Sequence, residues 1–467
     1  MSTIYVVAQQ ELKRLSKSRR FLLLMVLSYV LFTLALLTSW QQAQSYQQSY
    51  RQVMERQQHL WEHQGELNPH SATHLGLYAF KPWNPLSAWD PGLLPYLGSA
   101  ILMESHKQNF DRFRPAQDQI RMSRFAPITL ATLFQYLVPL LIILWAYAMM
   151  AEERENGTLK LLLLQGAQAL QLFVGKALAL IIVVAALIVP MLFLSLILMA
   201  SIGSVPWLSV SYFMLSYAVY WLFFIWLSLL VSSLASQSRN ALIILLSIWF
   251  LNTLIVPKAA LGWIQAFKPL PTAGDMQQQI AKAQEALPDW ETRTATLKAK
   301  YLKQYNVKDI KETPINLEGA VLQDNEVDDS RIYAEYFGNL YQRYQSDSQL
   351  YRQLGWLFPA IAIQNWSQAM AGSDFNHHHH FLIAAENYRF EYVSFLNNTI
   401  TKAKGKEAFE YTVGDELWKS APKFDYAGLD LASNLQANYS SLAALLLWIT
   451  ILIVLTPYLL KKMRVLA

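Results

Sequence analysis

From Ala177 to Ser238 the chain runs for 62 residues without an Asp, Glu, Lys or Arg. In hydrocarbon every backbone polar group must be satisfied within the chain, so a membrane span is a helix of about 20 apolar residues. The uncharged run is long enough for two such helices, and Gly203-Ser204-Val205-Pro206 supplies a turn between them.

Four further runs pass the same test: Phe21 to Thr38, Ala126 to Ala151, Asn240 to Pro257, and about Ser440 to Leu460, which stops at Lys461-Lys462. The whole chain agrees, with 467 residues, 54% of them hydrophobic and 15% charged, and a mean hydropathy of +0.19. The expected fold class is an all-α polytopic membrane protein. It has six transmembrane helices and a mainly helical extracytoplasmic domain built from two insertions. The expected layout is a leading amphipathic helix over 1–20, crossings at 21–39, 126–151, 176–202, 208–235, 240–257 and 440–460, and a tail at 461–467. Outer segments fill 40–125 and 258–439, and a charged link occupies 152–175.

Charge sets the orientation. The N-terminal segment, the charged link through Lys176, the Arg239 turn and the tail hold 12 Lys/Arg against 4 Asp/Glu, leaving 26 and 29 for the rest. By the positive-inside rule both termini are cytoplasmic, and the large segments face the periplasm of a bacterial inner membrane. Basic charge spread along an inner membrane face suits anionic lipid, so the net charge of +5 does not argue for nucleic acid. There is no cysteine, hence no disulfide framework or thiolate chemistry. Phe21 to Thr38 lacks a small-x-small cleavage pattern after it and reads as an uncleaved first span. Ile4, Val7, Leu12 and Leu15 ahead of it recur at near-helical spacing, as in an interfacial helix.

Between the second and third spans stands Glu152-Glu153-Arg154-Glu155-Asn156-Gly157-Thr158-Leu159. Gly157 permits a bend, Thr158 is placed to cap a helix, and the Leu159 to Leu164 run is strongly apolar, a segment suited to the interface or to a partner's groove. Gly175-Lys176 then opens the third span. A plain connecting loop is the competing interpretation of the residues alone. This pattern resembles the coupling segment of ABC-2 type exporter permeases. The resemblance implies that Glu152, Glu153, Arg154, Glu155, Gly157, Thr158 and Leu159 form the region docking on an ATP-hydrolysing subunit, and that Gly175 and Lys176 begin the third helix. Glu11 falls where that family often carries an acidic residue.

A second resemblance covers the outer part. Gly372, Asp374, His378, Phe381, Glu386, Arg389 and Asn397, in the stretch from Ala371 to Asn397, are similar to a branch of these permeases with large outer domains, catalogued as a domain of unknown function. The implied partners are two copies of an ABC ATPase subunit, a second permease as homodimer or paralogous heterodimer, membrane lipid and a periplasmic protein. ATP and Mg2+ would sit on the ATPase, because the Gly-x-x-x-x-Gly-Lys-Ser/Thr loop that cradles phosphates is missing here. No catalytic set is expected in this chain.

All nine histidines fall in the outer segments. His59 with His63 and His70 with His74 are spaced for one helix face, and His377, His378, His379 and His380 form a run; together these are the candidate metal ligands. Asn68-Pro69 argues against a helix at His70, and adjacent histidines on a helix point about 100° apart. Ordinary surface or packing histidines are the competing interpretation. With no charged residue from Ala177 to Ser238 or inside the other spans, the expected energy source lies outside the lipid. The expected function is the permease subunit of an ATP-driven exporter. The alternatives are a mechanotransmitting ABC-type complex acting on envelope partners and a periplasmic metal-binding membrane protein.

Overall fold

The computed structural model describes residues 3–112, 128–267 and 269–466. The expected first residues of the second span, 126 and 127, lie outside them, as do 113–125 of the first outer segment. Among the described residues six helices are long and apolar enough to cross a membrane: α2 (Arg19–Glu62), α4 (Leu130–Glu155), α6 (Ala169–Ile202), α7 (Trp207–Leu234), α8 (Ser238–Phe267) and α15 (Leu431–Leu466). They are preceded by α1 (Thr3–Ser16), and a short α5 (Thr158–Leu164) lies between α4 and α6. In α4 and α7, 67% and 61% of the most apolar window is buried, against 17% in α8. These two helices are therefore the axis around which the others pack. Phe134, Tyr217 and Trp221 interlock edge to face between them, and Trp221 Nε1 donates to the Phe134 carbonyl at 3.0 Å. Such aromatic pairs add to burial energy where lipid supplies no hydrophobic drive.

Two spans contain a π-helical turn just before a proline, at Leu133–Leu137 ahead of Pro139 and at Leu251–Ile255 ahead of Pro257. A wider turn absorbs the missing N–H and ring bulk of the proline, so the helix continues across it.

The extramembrane domain is built from both insertions, as expected. Its helices are α3 (Pro69–Leu75), α9 (Ala273–Glu285), α10 (Trp290–Tyr305), α11 (Leu317–Gln353), α13 (Phe375–Thr401) and α14 (Asp415–Ser420), while α12 (Pro359–Ala371) packs into the core of the spans through Ile363, Trp366 and Met370. The helix-forming stretch Asp275 to Tyr305 divides at Pro288, after which Asp289 accepts from Thr292 N at 2.8 Å to start α10. The aromatic face of α11 is core: Ile332, Phe337 and Leu340 pack with Met276 and Ile280 of α9. A small antiparallel sheet joins β1 (Leu77–Phe80), β2 (Ala100–Glu104) and β3 (Lys107–Gln108) in that order.

Helix boundaries differ from the expected span limits at several places: α8 runs on to Phe267 and α15 starts already at Leu431. The helix of the first span does not end at Ser39: α2 runs on as one helix to Glu62, because a Gln- and Arg-rich sequence can leave the membrane without leaving the helix. The third span begins at Ala169, seven residues ahead of Lys176. Asn68-Pro69 starts a helix rather than preventing one, since Asn68 Oδ1 accepts from His70 N and Ser71 N and proline suits the first helical turn.

Candidate functional site

Two polar assemblies stand out against this apolar frame. The first is built on the charged break. The chain leaves α4 through Gly157 at φ +74°, where a Cβ would meet nothing within 4 Å. The left-handed backbone, not lack of room, is what calls for glycine there. Thr158 is not the cap that was expected. Gly157 occupies that position, and the Thr158 hydroxyl instead donates to the Glu153 carbonyl at 3.1 Å. Leu159 is buried in the core, whereas Leu161 is 59% and Leu164 75% exposed, so α5 turns an uncovered apolar edge outward.

Behind it Lys176 is buried in the second turn of α6. Its ammonium donates to Glu11 of α1, to Glu153 at 2.6 Å and to the Met149 carbonyl at 2.9 Å. Dehydrating such a group costs several kcal/mol, and it is sustained only because all three N–H groups find acceptors. Gly175 beside it lets α1 approach: a Cβ there would lie 2.7 Å from that of Val7. Arg14 adds contacts to Glu11 at 3.0 Å and to Glu152 at 3.3 Å. Arg154 donates to the Ser233 and Ala235 carbonyls at 2.6 and 2.8 Å, closing the carbonyl end of α7. Glu155 accepts from Ser238 N at the start of α8, where a carboxylate meets the positive helix end. The four charges from Glu152 to Glu155 thus tie α4 to α1, α6, α7 and α8.

The second assembly is centred on α13. Gly372 ends α12 at φ +68°, and Asp374 caps α13 by accepting from His377 N at 3.1 Å. Phe381 is core, and His378 lies buried 3.7 Å from Asp111. Arg389, buried, donates to Glu386 at 2.8 to 3.0 Å, to the Ser330 hydroxyl at 2.7 Å and to Glu326 of α11. Burial pulls its pKa down, but Glu386 and Glu326 together outweigh that and raise it. Glu326 in turn accepts from His106 N at 2.8 Å, and Asn397 Oδ1 faces His70 Nδ1 at 3.1 Å.

The candidate histidines separate into three outcomes. His59 and His63 stack at 4.5 Å on the exposed end of α2, and no third ligand joins them among the described residues. The four-histidine run does not assemble either, because the helix fans the rings apart. His377 turns to Asp374, His379 to Gln345 at 3.0 Å and His380 to the Tyr426 hydroxyl at 2.9 Å. His70 and His74 do come together, with Nε2 atoms 3.2 Å apart, and His106 joins them, each offering a ring nitrogen within 4.8 Å of the others. Burial, with help from the His106 and His74 charges, lowers the His70 pKa to about 4. Burial and His106 lower that of His74 as well.

His106 is the member of this cluster that sequence patterning passed over. It sits alone in the turn between β2 and β3, and its backbone at φ +63° is a left-handed conformation costing a side-chain-bearing residue about 1 kcal/mol. Its only sequence signal was being the one histidine outside the paired and clustered ones.

Two family models match parts of the chain. Residues 276–427 are similar to a domain of unknown function, DUF3526, and residues 100–270 to a protein family of unknown function, DUF2705. The first region contains the α13 motif and the second the charged break. No curated protein matches the chain. Neither family description names a transporter, and what the matches establish is similarity to two families without an assigned activity.

Proposed function

We propose that the chain is the transmembrane permease subunit of an ATP-driven ABC-type exporter, coupling hydrolysis on a separate nucleotide-binding subunit to substrate movement across the bacterial inner membrane. The observation that carries this reading is the exposed Leu161–Leu164 edge of α5 held on a clamp of buried charges. A helix that offers apolar side chains to a groove, and whose base is tied to four other helices, can pass a push from a partner into the spans. The excess of basic charge over the N-terminal segment, the charged link, the Arg239 turn and the tail taken together supports a cytoplasmic position for them, with both termini inside and the large domain in the periplasm. Two ATPase copies, each with Mg2+ and ATP, would act on a pair of permeases, identical or paralogous.

The test is Leu161→Glu combined with Leu164→Glu. An ATPase subunit is expected to co-purify with the wild-type chain in mild detergent, and the double variant is expected to lose it together with its stimulation in membranes. Retention of both would overturn the coupling role. A second reading is favoured by α2, whose polar half extends the first span far into the outer domain: the complex works mechanically on envelope partners and carries nothing across. Nucleotide-dependent motion of the outer domain without uptake into inverted vesicles would select it.

A further inference from the structure

We propose that His70, His74 and His106 form a binding centre for one borderline divalent transition-metal ion, of which Zn2+ is the type, with the fourth tetrahedral position open to solvent. The donor set comes from two elements that the sequence separates: two residues one turn apart on α3, and one in the β2–β3 turn. In a tetrahedral site with metal–nitrogen bonds near 2.0–2.1 Å, ligand nitrogens lie about 3.3 Å apart. His70 and His74 Nε2 stand at 3.2 Å. The three rings are mutually adjacent, with centroids 4.8, 5.4 and 5.5 Å apart, so a small rotation of the His106 ring completes the set.

The groups behind the rings fix the tautomers that ligation needs. Asp329 Oδ2 can only accept, and it lies 3.1 Å from His106 Nδ1. Asn397 Oδ1 lies 3.1 Å from His70 Nδ1, while its own amide donates to Gln323 Oε1 at 3.3 Å. Both Nδ1 atoms therefore carry hydrogen, leaving the Nε2 lone pairs for a metal. His74 is the adaptable member. With a metal absent its Nε2–H donates to His70 Nε2 and its Nδ1 accepts from the Ser105 hydroxyl, 3.2 Å away. On metal binding the hydrogen moves to Nδ1 and Ser105 becomes the acceptor. His106 holds its left-handed backbone because Glu326 accepts its N–H and Asp329 its ring, and Glu326 is itself anchored by Arg389. A strained turn braced from two sides to aim an imidazole is how a ligand site is built. Nitrogen donors without thiolate favour Zn2+, Ni2+, Co2+ or Cu2+ over the hard cations Mg2+ and Ca2+. His74, the exposed member, lies where the fourth position opens.

The experiment uses the full chain, purified in detergent without an added histidine tag and stripped with a chelator. Calorimetric titration with Zn2+ is expected to give one equivalent per chain, and Co2+ in its place should show the visible bands of a tetrahedral nitrogen site. His74→Ala removes an exposed ligand, and His106→Asn keeps a residue that tolerates the left-handed turn; each should weaken Zn2+ by about 100-fold or more. His59→Ala with His63→Ala should leave binding unchanged. Absence of a stoichiometric site in folded wild-type chain would overturn the proposal. So would an equivalent that survives both ligand variants, or one lost only in the His59/His63 variant. Co-elution of each variant with wild type controls for folding, and the measurement does not depend on any ATPase partner.

Discussion

The Lys176 cluster and the His106 cluster are both buried polar assemblies, yet they are put together in opposite ways. At Lys176 the Met149 carbonyl, Glu152 and Glu153 come from one short stretch at the end of α4, while Glu11 and Arg14 are brought in by α1 and Lys176 by α6. At His106 the histidines and the groups behind them come from separate parts of the chain: Asn397 lies 327 residues from His70, and Asp329 223 from His106. A contiguous cluster can be displaced as a unit, which suits a port for force. A cluster assembled over long range locks its elements into one geometry, which suits a site where nitrogen positions matter.

The most severe way to break this contrast is Lys176→Met. It strands Glu11 and Glu153 against the apolar core, and the expected loss is on the order of 3 kcal/mol or more, seen as a sharply lower detergent melting temperature. Adding Glu11→Gln and Glu153→Gln should restore much of it. If Lys176→Met alone melts like wild type, the cluster is not buried as described. An intermediate effect is expected at Gly175→Val, whose new side chain overlaps Val7 and the Ile4 carbonyl. The cost should be about 2 kcal/mol, with α1 becoming accessible to protease while the metal site is untouched. The smallest change sharpens the other pole. Asp329→Asn should weaken Zn2+ by about tenfold with little effect on melting. No change in Zn2+ affinity would mean that Asp329 does not orient His106.

This difference also governs what could be seen in the sequence. The spans were legible because hydropathy is a local property, and the charged break because its residues are consecutive. Hydropathy misplaced the end of the first helix, since it reports the edge of the membrane rather than the edge of the helix, and the Gln-rich continuation of α2 is polar but still helix-forming. Gly175-Lys176 suggested a helix start, but the helix begins at Ala169, where Gln171 Oε1 accepts from Gln168 N at 3.4 Å. That puts Lys176 about two turns inside, close to two acids. His106 was invisible for a deeper reason. Its role depends on a turn that packs against α3 and α11, and neither contact leaves a periodic trace near residue 106.

The length of α2 carries a consequence for motion. Its 44 residues contain neither glycine nor proline, so nothing within it invites a hinge. At about 1.5 Å per residue it is a rod of roughly 66 Å, and a tilt of about 10° at its membrane end would sweep the far tip through roughly 11 Å. Trp61 at that tip donates to the Trp418 carbonyl at 3.0 Å and meets the Tyr392 ring of α13 at 5.4 Å. A lever of this kind turns a slight rearrangement among the spans into a large stroke delivered to the helix that carries Asn397 and Arg389.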